Sequence, residues 1–278
     1  MNRYLKLVHM EVHRFRYLML FLMGIILIFQ VGAIISVLSD ELSLKWENPA
    51  YSSVRQPFVP EGMLSFTWVI SQTNFYFIIP IFISIAVIGL YIFFIWYRDW
   101  LGKSTFIYRL LMLPGARCQI YLAKLTAILI FVFGLVSYQL LLLPVEKLLF
   151  QMMVPAEWRV DSYWPEVISA NLALDMLLPR NVEQFFTIYG AGIMAVLIIF
   201  TAILLERSYR RIGILYGLLY VAVHVMAVMF LPDLLGIGNP DSFLYTDEIV
   251  GLVFGICLVL LMLSVLFGFR LLAKKITV

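Results

Sequence analysis

The sequence predicts an all-α membrane protein with six transmembrane helices. Three observations predict it. Of the 278 residues, 63% are hydrophobic and only 13% charged, against roughly a quarter charged in soluble domains. Six separate stretches approach or exceed the roughly 20 apolar residues that a helix needs to cross the hydrocarbon layer. Lys and Arg concentrate on alternate connecting segments, the asymmetry that orients a multi-span chain.

The spans fall at about Tyr17–Ser39, Trp68–Tyr97, Leu125–Pro144, Phe185–Leu205, Ile212–Leu231 and Ile249–Phe269. The first is longer than a signal-peptide core and no small-residue cleavage site follows it, so it reads as an uncleaved membrane helix. With the N-terminus inside, the inner segments hold Arg3, Lys6, Arg14 and Arg16, then Arg98, Lys103, Arg109, Arg117 and Lys124, then Arg207, Arg210 and Arg211, then Arg270, Lys274 and Lys275. Of the acids, only Glu11, Asp99 and Glu206 lie inside. The expected layout is one transmembrane domain over 1–278: three hairpins, N- and C-termini cytoplasmic, an inner loop at 98–124, and outer segments at 40–67, 145–184 and 232–248. Pro155, Trp158, Tyr163, Trp164 and Pro165 make the second outer segment an irregular or partly helical layer suited to the membrane surface.

Residues 1–16 precede the first span. On a helical wheel, Tyr4, Leu5, Val8, Val12 and Phe15 share one arc, and Asn2, Arg3, Lys6, His9, His13, Arg14 and Arg16 face the other way. The pattern predicts a basic amphipathic helix lying on membrane lipids; the simpler reading is a basic flank that sets topology. His9 and His13 have a spacing that could hold a metal, but the order is H-M-E-V-H and no third ligand is near, so both read as ordinary polar-face histidines.

Several function classes lack their residues. The predicted spans hold almost no ionisable group: Glu146 and Lys147 sit at a span end and His224 is alone. A proton-coupled transporter would need an intramembrane acid. A membrane cytochrome would need paired histidines, and a membrane hydrolase a Ser/His pair, two aspartates or H-E-x-x-H. There is no G-x-x-x-x-G-K-[ST] phosphate loop. The chain therefore does not read as an enzyme, and no catalytic, cofactor-binding or metal-binding residue is assigned. An enzyme reading would need Glu157, Asp161, Glu166 and Asp175 to converge on a metal; a solvated loop is the simpler account. Nucleic-acid binding is disfavoured, because the basic residues lie in short loops rather than on one face. Cys118 and Cys257 belong at different depths, which argues against a disulfide.

Polar and small residues within spans suggest how helices meet. Gln30, Gln72, Asn74 and Gln139 can hydrogen-bond between helices or line a cavity. Gly213-x-x-x-Gly217 opens the fifth span and Gly251-x-x-x-Gly255 the sixth; Ala191/Ala195 and Ser264/Gly268 repeat the spacing. Such pairs let helix backbones approach closely, either within one chain or across a dimer.

The loop Arg98–Lys124 carries five basic residues and Asp99 as its only acid. Ser104 can cap a short helix along which Phe106, Arg109, Leu110 and Leu113 recur at helical spacing, and Pro114-Gly115 ends it. Arg117 and Lys124 flank the entry to the third span. The loop reads as a docking helix offered to a cytoplasmic partner, or as a plain basic interfacial loop.

The segment YRDWLGKSTFIYRLLMLPGARCQIYLAKL resembles the first cytoplasmic loop of ABC-2 type exporter permeases, at Leu110, Pro114, Arg117, Tyr121 and Lys124. The wider layout agrees: an interfacial N-terminal helix, six spans, both ends inside and no ATPase domain. The resemblance implies a permease subunit that pairs with an identical or similar permease. Two separate cytoplasmic ATP-binding cassette subunits would hold ATP and Mg, leaving no cofactor in this chain. It implies an ATPase-coupling surface of Ser104, Phe106, Ile107, Tyr108, Arg109, Leu110, Leu113, Pro114, Arg117 and Lys124, in a bacterial plasma membrane. The mostly uncharged spans favour an amphipathic or hydrophobic substrate such as a peptide antibiotic, a lipid or a drug. The competing reading is a non-transporting membrane anchor, sensor or immunity protein for a cytoplasmic partner.

Overall fold

The computed structural model describes residues 3–47, 63–101, 117–234 and 245–274. Six of its helical stretches are long and apolar enough to cross a membrane: Arg3–Glu47, Asn74–Trp100, Cys118–Met153, Val182–Tyr209, Ile212–Phe230 and Gly251–Ala273. The chain is an all-α membrane protein. Helices dominate because hydrocarbon offers backbone groups no partner, so each N–H and C=O must be satisfied within its own segment.

Packing divides the chain into two units. One comprises Met1–His9, Gly89–Ala127 and Tyr189–Val278; the other comprises Met10–Ile88 and Ile128–Ile188.

In the second unit, the parts of helix α1 (Arg3–Glu47) and helix α4 (Cys118–Met153) that belong to it run side by side in parallel. The Phe15 and Phe131 rings stack at 4.8 Å. Gly134 leaves room for Met19, whose Cε would lie 2.9 Å from a Cβ added there. Gln30 and Gln139 exchange two amide hydrogen bonds of 3.1 Å, both side chains being buried. Lipid supplies no hydrophobic drive between helices, so close packing and reciprocal polar bonds of this kind hold them.

Of the expected interfacial helix at 1–16, the described residues 3–16 are not a separate helix: they are the first turns of α1 itself. Val8, Glu11 and Phe15 are buried while Leu5 is half-exposed, so the apolar stripe is turned largely to protein rather than to lipid. Lys6, His9, His13 and Arg16 lie on the exposed side, as the wheel predicted.

The predicted second span begins too early. Residues 66–72 form a separate short helix α2 (Phe66–Gln72), and the long helix α3 is Asn74–Leu101. Thr73 separates them: its N–H and its hydroxyl both bond Val69 O, which closes α2. The predicted third span ends too early. Pro144 lies inside α4, which runs on to Met153. A helix survives a proline when packing outweighs the lost hydrogen bond, and here Leu143, Phe150 and Val154 are anchored in one apolar core.

That core belongs to a cap built from the segments between spans. Strand β1 (Leu64–Ser65) pairs in parallel with β2 (Arg159–Val160). Helices α5 (Trp164–Ser169), α6 (Leu172–Leu177) and α7 (Val182–Phe185) follow, matching the partly helical character expected of this region. Leu64, Phe66, Val69, Ile70, Val167 and Leu174 fill the interior. Asn171 ties it together: Oδ1 accepts from the N–H groups of Ala173 and Leu174, capping α6, and Nδ2 donates to Ile70 O at 3.3 Å. Asn171→Ala is expected to destabilise the cap by about 0.5–2 kcal/mol, the range for a lost N-cap. Chemical-denaturant unfolding in mixed micelles measures this; no change would remove Asn171 from that role.

Glu146, expected at a span end, is fully buried on the same face as Leu143 and Phe150. Both its carboxylate oxygens lack a hydrogen-bond partner. An unsatisfied buried polar group costs about 1–3 kcal/mol, so Glu146→Leu is expected to raise stability by about that amount. An unfolding midpoint that falls instead would contradict this.

The two remaining long helical runs, α8 and α9, lie in the first unit. A π-turn, Phe186–Gly190, leads into the helical run α8 (Ala191–Leu234), and α9 is Thr246–Lys274. The run α8 doubles back on itself. A Cβ on Gly217 would lie 3.0 Å from Ala202 O, whereas in a straight helix residues that far apart in sequence are separated by roughly 22 Å. It is thus a hairpin whose turn lies between Glu206 and Gly213.

Candidate functional site: the base of the basic loop

The predicted docking residues Ser104, Phe106, Ile107, Tyr108, Arg109, Leu110, Leu113 and Pro114 lie outside the described residues. What is described is the frame they are hung from: the end of α3 and the start of α4.

Lys124 departs from its expected place. It is not part of a docking surface but buried, with 1% of its side chain exposed. Its ammonium donates to Asp99 Oδ2 at 2.5 Å and to Ile95 O at 2.7 Å, and stands 5.3 Å from the centre of the Trp96 ring. The physical reason is desolvation: a lysine drawn between two apolar helices must meet an opposite charge and spare carbonyls. Asp99, the single acid in a basic loop, supplies that charge. Its isolation among cations was the sequence signal for the pairing.

Aromatic rings close around the pair. Tyr121 meets Phe200 and Phe269 edge-on at 5.4 Å, and Trp96 meets Phe200 at the same distance. Gly268 permits this, since a Cβ there would sit 3.0 Å from the Tyr121 ring.

Two further bonds tie the frame to other helices. Arg117 Nη1 donates to Leu272 O at 3.2 Å and more weakly to Ala273 O. These are end carbonyls of α9, which have no partner within their own helix, and a cation is favoured at that negative dipole end. At the end of α3, the Tyr97 hydroxyl donates to Glu206, and the Arg207 guanidinium lies 4.8 Å from the Tyr97 ring and 5.7 Å from the Trp100 ring. Trp96, Tyr97, Glu206 and Arg207 were not singled out from sequence, where they look like interfacial aromatics and a basic turn. The side chains of Arg210 and Arg211 lie outside the description.

The small-residue pairs separate into two kinds. At Gly213 a Cβ would fall 2.5 Å from Glu206 O and 2.6 Å from Leu205 O, so this glycine and Gly217 let the two arms of α8 touch backbone to backbone within one chain. Gly251 and Gly255 have nothing within 4 Å of a Cβ and face outward.

His224 is not alone. Its Nδ1 lies 2.9 Å from Tyr220 O, and its Nε2 lies 3.5 Å from Ser264 Oγ. The Tyr220 hydroxyl sits 2.6 Å from the same Ser264 oxygen, and Thr201 donates to Ser264 O at 3.1 Å. The group ties both arms of α8 to α9, the role of polar glue between membrane helices.

No family model, no curated protein and no solved structure matches the chain. Among the described residues no three His, Cys, Asp or Glu side chains gather as metal ligands, and both cysteines are free. The arrangement at the loop base is a joint. It ties together the end of α3, the start of α4, the end of α9 and the turn of the α8 hairpin.

Proposed function

We propose that the chain is the membrane subunit of an ATP-driven exporter of the ABC-2 type. In this reading both termini lie in the cytoplasm of a bacterial cell and the chain crosses its plasma membrane. The loop between α3 and α4 docks on separate ATP-binding cassette subunits, and a path for an amphipathic or hydrophobic substrate forms with a second permease, identical or homologous. One observation carries the reading: a loop whose sequence is basic and amphipathic joins two membrane helices whose ends are bonded to each other and to two further elements. A partner pressing on that loop acts on anchored helices, the requirement for moving rigid bodies against one another. Gly251 and Gly255, open on the outward side of α9, leave backbone free for close approach by another helix. Arg117 stands at the base of the docking surface, bonded to α9, and Lys124 holds the base from within.

The test is purification of the full chain in mild detergent, with mass identification of what accompanies it. A soluble ATPase is expected to co-purify, and its ATP turnover is expected to fall at least tenfold when Arg109 and Leu110 are changed to alanine. A chain that purifies with no nucleotide-binding partner would sink the exporter and leave a membrane anchor or sensor as the better account.

A further inference from the structure

We propose that the buried Lys124–Asp99 pair is a mechanical clamp that makes the two helix ends flanking the basic loop move as one body. Lys124 is then a positioning residue that meets no partner. The inference uses the docking role of the loop only for what the clamp transmits.

Three observations carry it. First, the pair is out of reach of any ligand, the two side chains being 1% and 2% exposed, so it serves neither docking nor solubility. Second, a buried ion pair is a poor source of stability compared with apolar side chains of the same volume; what it supplies is a single geometry, because any slip leaves a charge unpaired in a dry site. Third, the ammonium is fixed twice on the same helix, by Asp99 Oδ2 and by Ile95 O, about one turn apart. Two bonds to one helix set both the height and the rotation of α4 against α3, which one bond could not. The neighbouring contacts widen the body: Arg117 joins α4 to the carbonyl end of α9, and Tyr97 with Trp100 joins α3 to the turn of the α8 hairpin. A displacement of the loop base is therefore delivered to several helices together.

The experiment uses the full chain in lipid nanodiscs, with Cys118 and Cys257 changed to Ser and spin labels at Phe94→Cys and Leu122→Cys, both exposed positions. Pulsed dipolar spectroscopy reads the spread of distances between α3 and α4. The parent and Lys124→Arg, which keeps the charge, are expected to give one narrow distribution. The doubly neutral Asp99→Leu/Lys124→Met variant is expected to be at least twofold broader. An unchanged width overturns the clamp. Should that variant fail to accumulate, Asp99→Val/Lys124→Leu, equally without hydrogen-bonding groups, takes its place with the same two outcomes.

A second arm adds the co-purifying ATPase and a non-hydrolysable ATP analogue. ATPase retention and basal turnover are expected to stay within twofold in the doubly neutral variant, while the nucleotide-driven shift in label distance disappears. A shift that persists in that variant overturns the clamp as a transmitting element. If the parent chain captures no ATPase, the exporter reading fails by itself, and the width measurement still judges the clamp.

Discussion

Lys124→Met alone is expected to destabilise the chain by about 3–5 kcal/mol, the range for removing one partner of a buried ion pair. The substitution leaves the Asp99 carboxylate in a site from which water is excluded, with its counter-charge gone, and frees Ile95 O of its second donor. Asp99→Leu combined with Lys124→Met is expected to recover most of the loss, because both charges leave together and apolar volume replaces them. Unfolding of the parent and the two variants in the same mixed micelles gives the comparison. A single variant as stable as the parent would mean that the two side chains are not paired in a dry interior.

The second large effect is expected at Gly213. Any side chain there must displace the backbone of the facing arm, since even a methyl would lie 2.5 Å from Glu206 O and 2.6 Å from Leu205 O. Backbone cannot rotate away as a flexible side chain can. Gly213→Ala is therefore expected to cost about 3 kcal/mol, the upper part of the usual range for overpacking, and Gly213→Leu more. Gly251→Ala and Gly255→Ala, which meet open space, are expected to stay within about 0.5 kcal/mol of the parent, like other surface substitutions. Accumulation and unfolding midpoint of the four variants make the test. Equal tolerance at 213 and 251 would mean that the α8 hairpin is not closed backbone to backbone.

These two sites show where reading along the chain stops. Gly213-x-x-x-Gly217 and Gly251-x-x-x-Gly255 are the same pattern, and nothing local says that one faces a neighbouring backbone and the other does not. Lys124 read only as a docking cation, and it is the position of Asp99 on the adjacent helix that shows it buried and paired. His224 looked solitary because Ser264 lies 40 residues away. Glu146 looked like a span-end acid because Pro144 suggested a stop, yet α4 continues through it. The cap was legible only as an irregular, aromatic-rich stretch; that Ser65 caps α2 beside Ser162, 95 residues from Thr67, was not.

Composition and apolar run length by themselves determined the class of this protein: six helices long enough to span, with boundaries blurred where helices outrun the bilayer, as α1 and α4 do. They could do so because the bilayer imposes one rule on each segment separately, that its backbone be satisfied internally across a fixed thickness. The tertiary structure alone decided which glycines meet backbone, which lysine is withdrawn between helices, and which separate segments form the cap. Those outcomes depend on partners 7 to 101 residues away, and contact at such separations is set by how helices pack, not by the order of residues along any one of them.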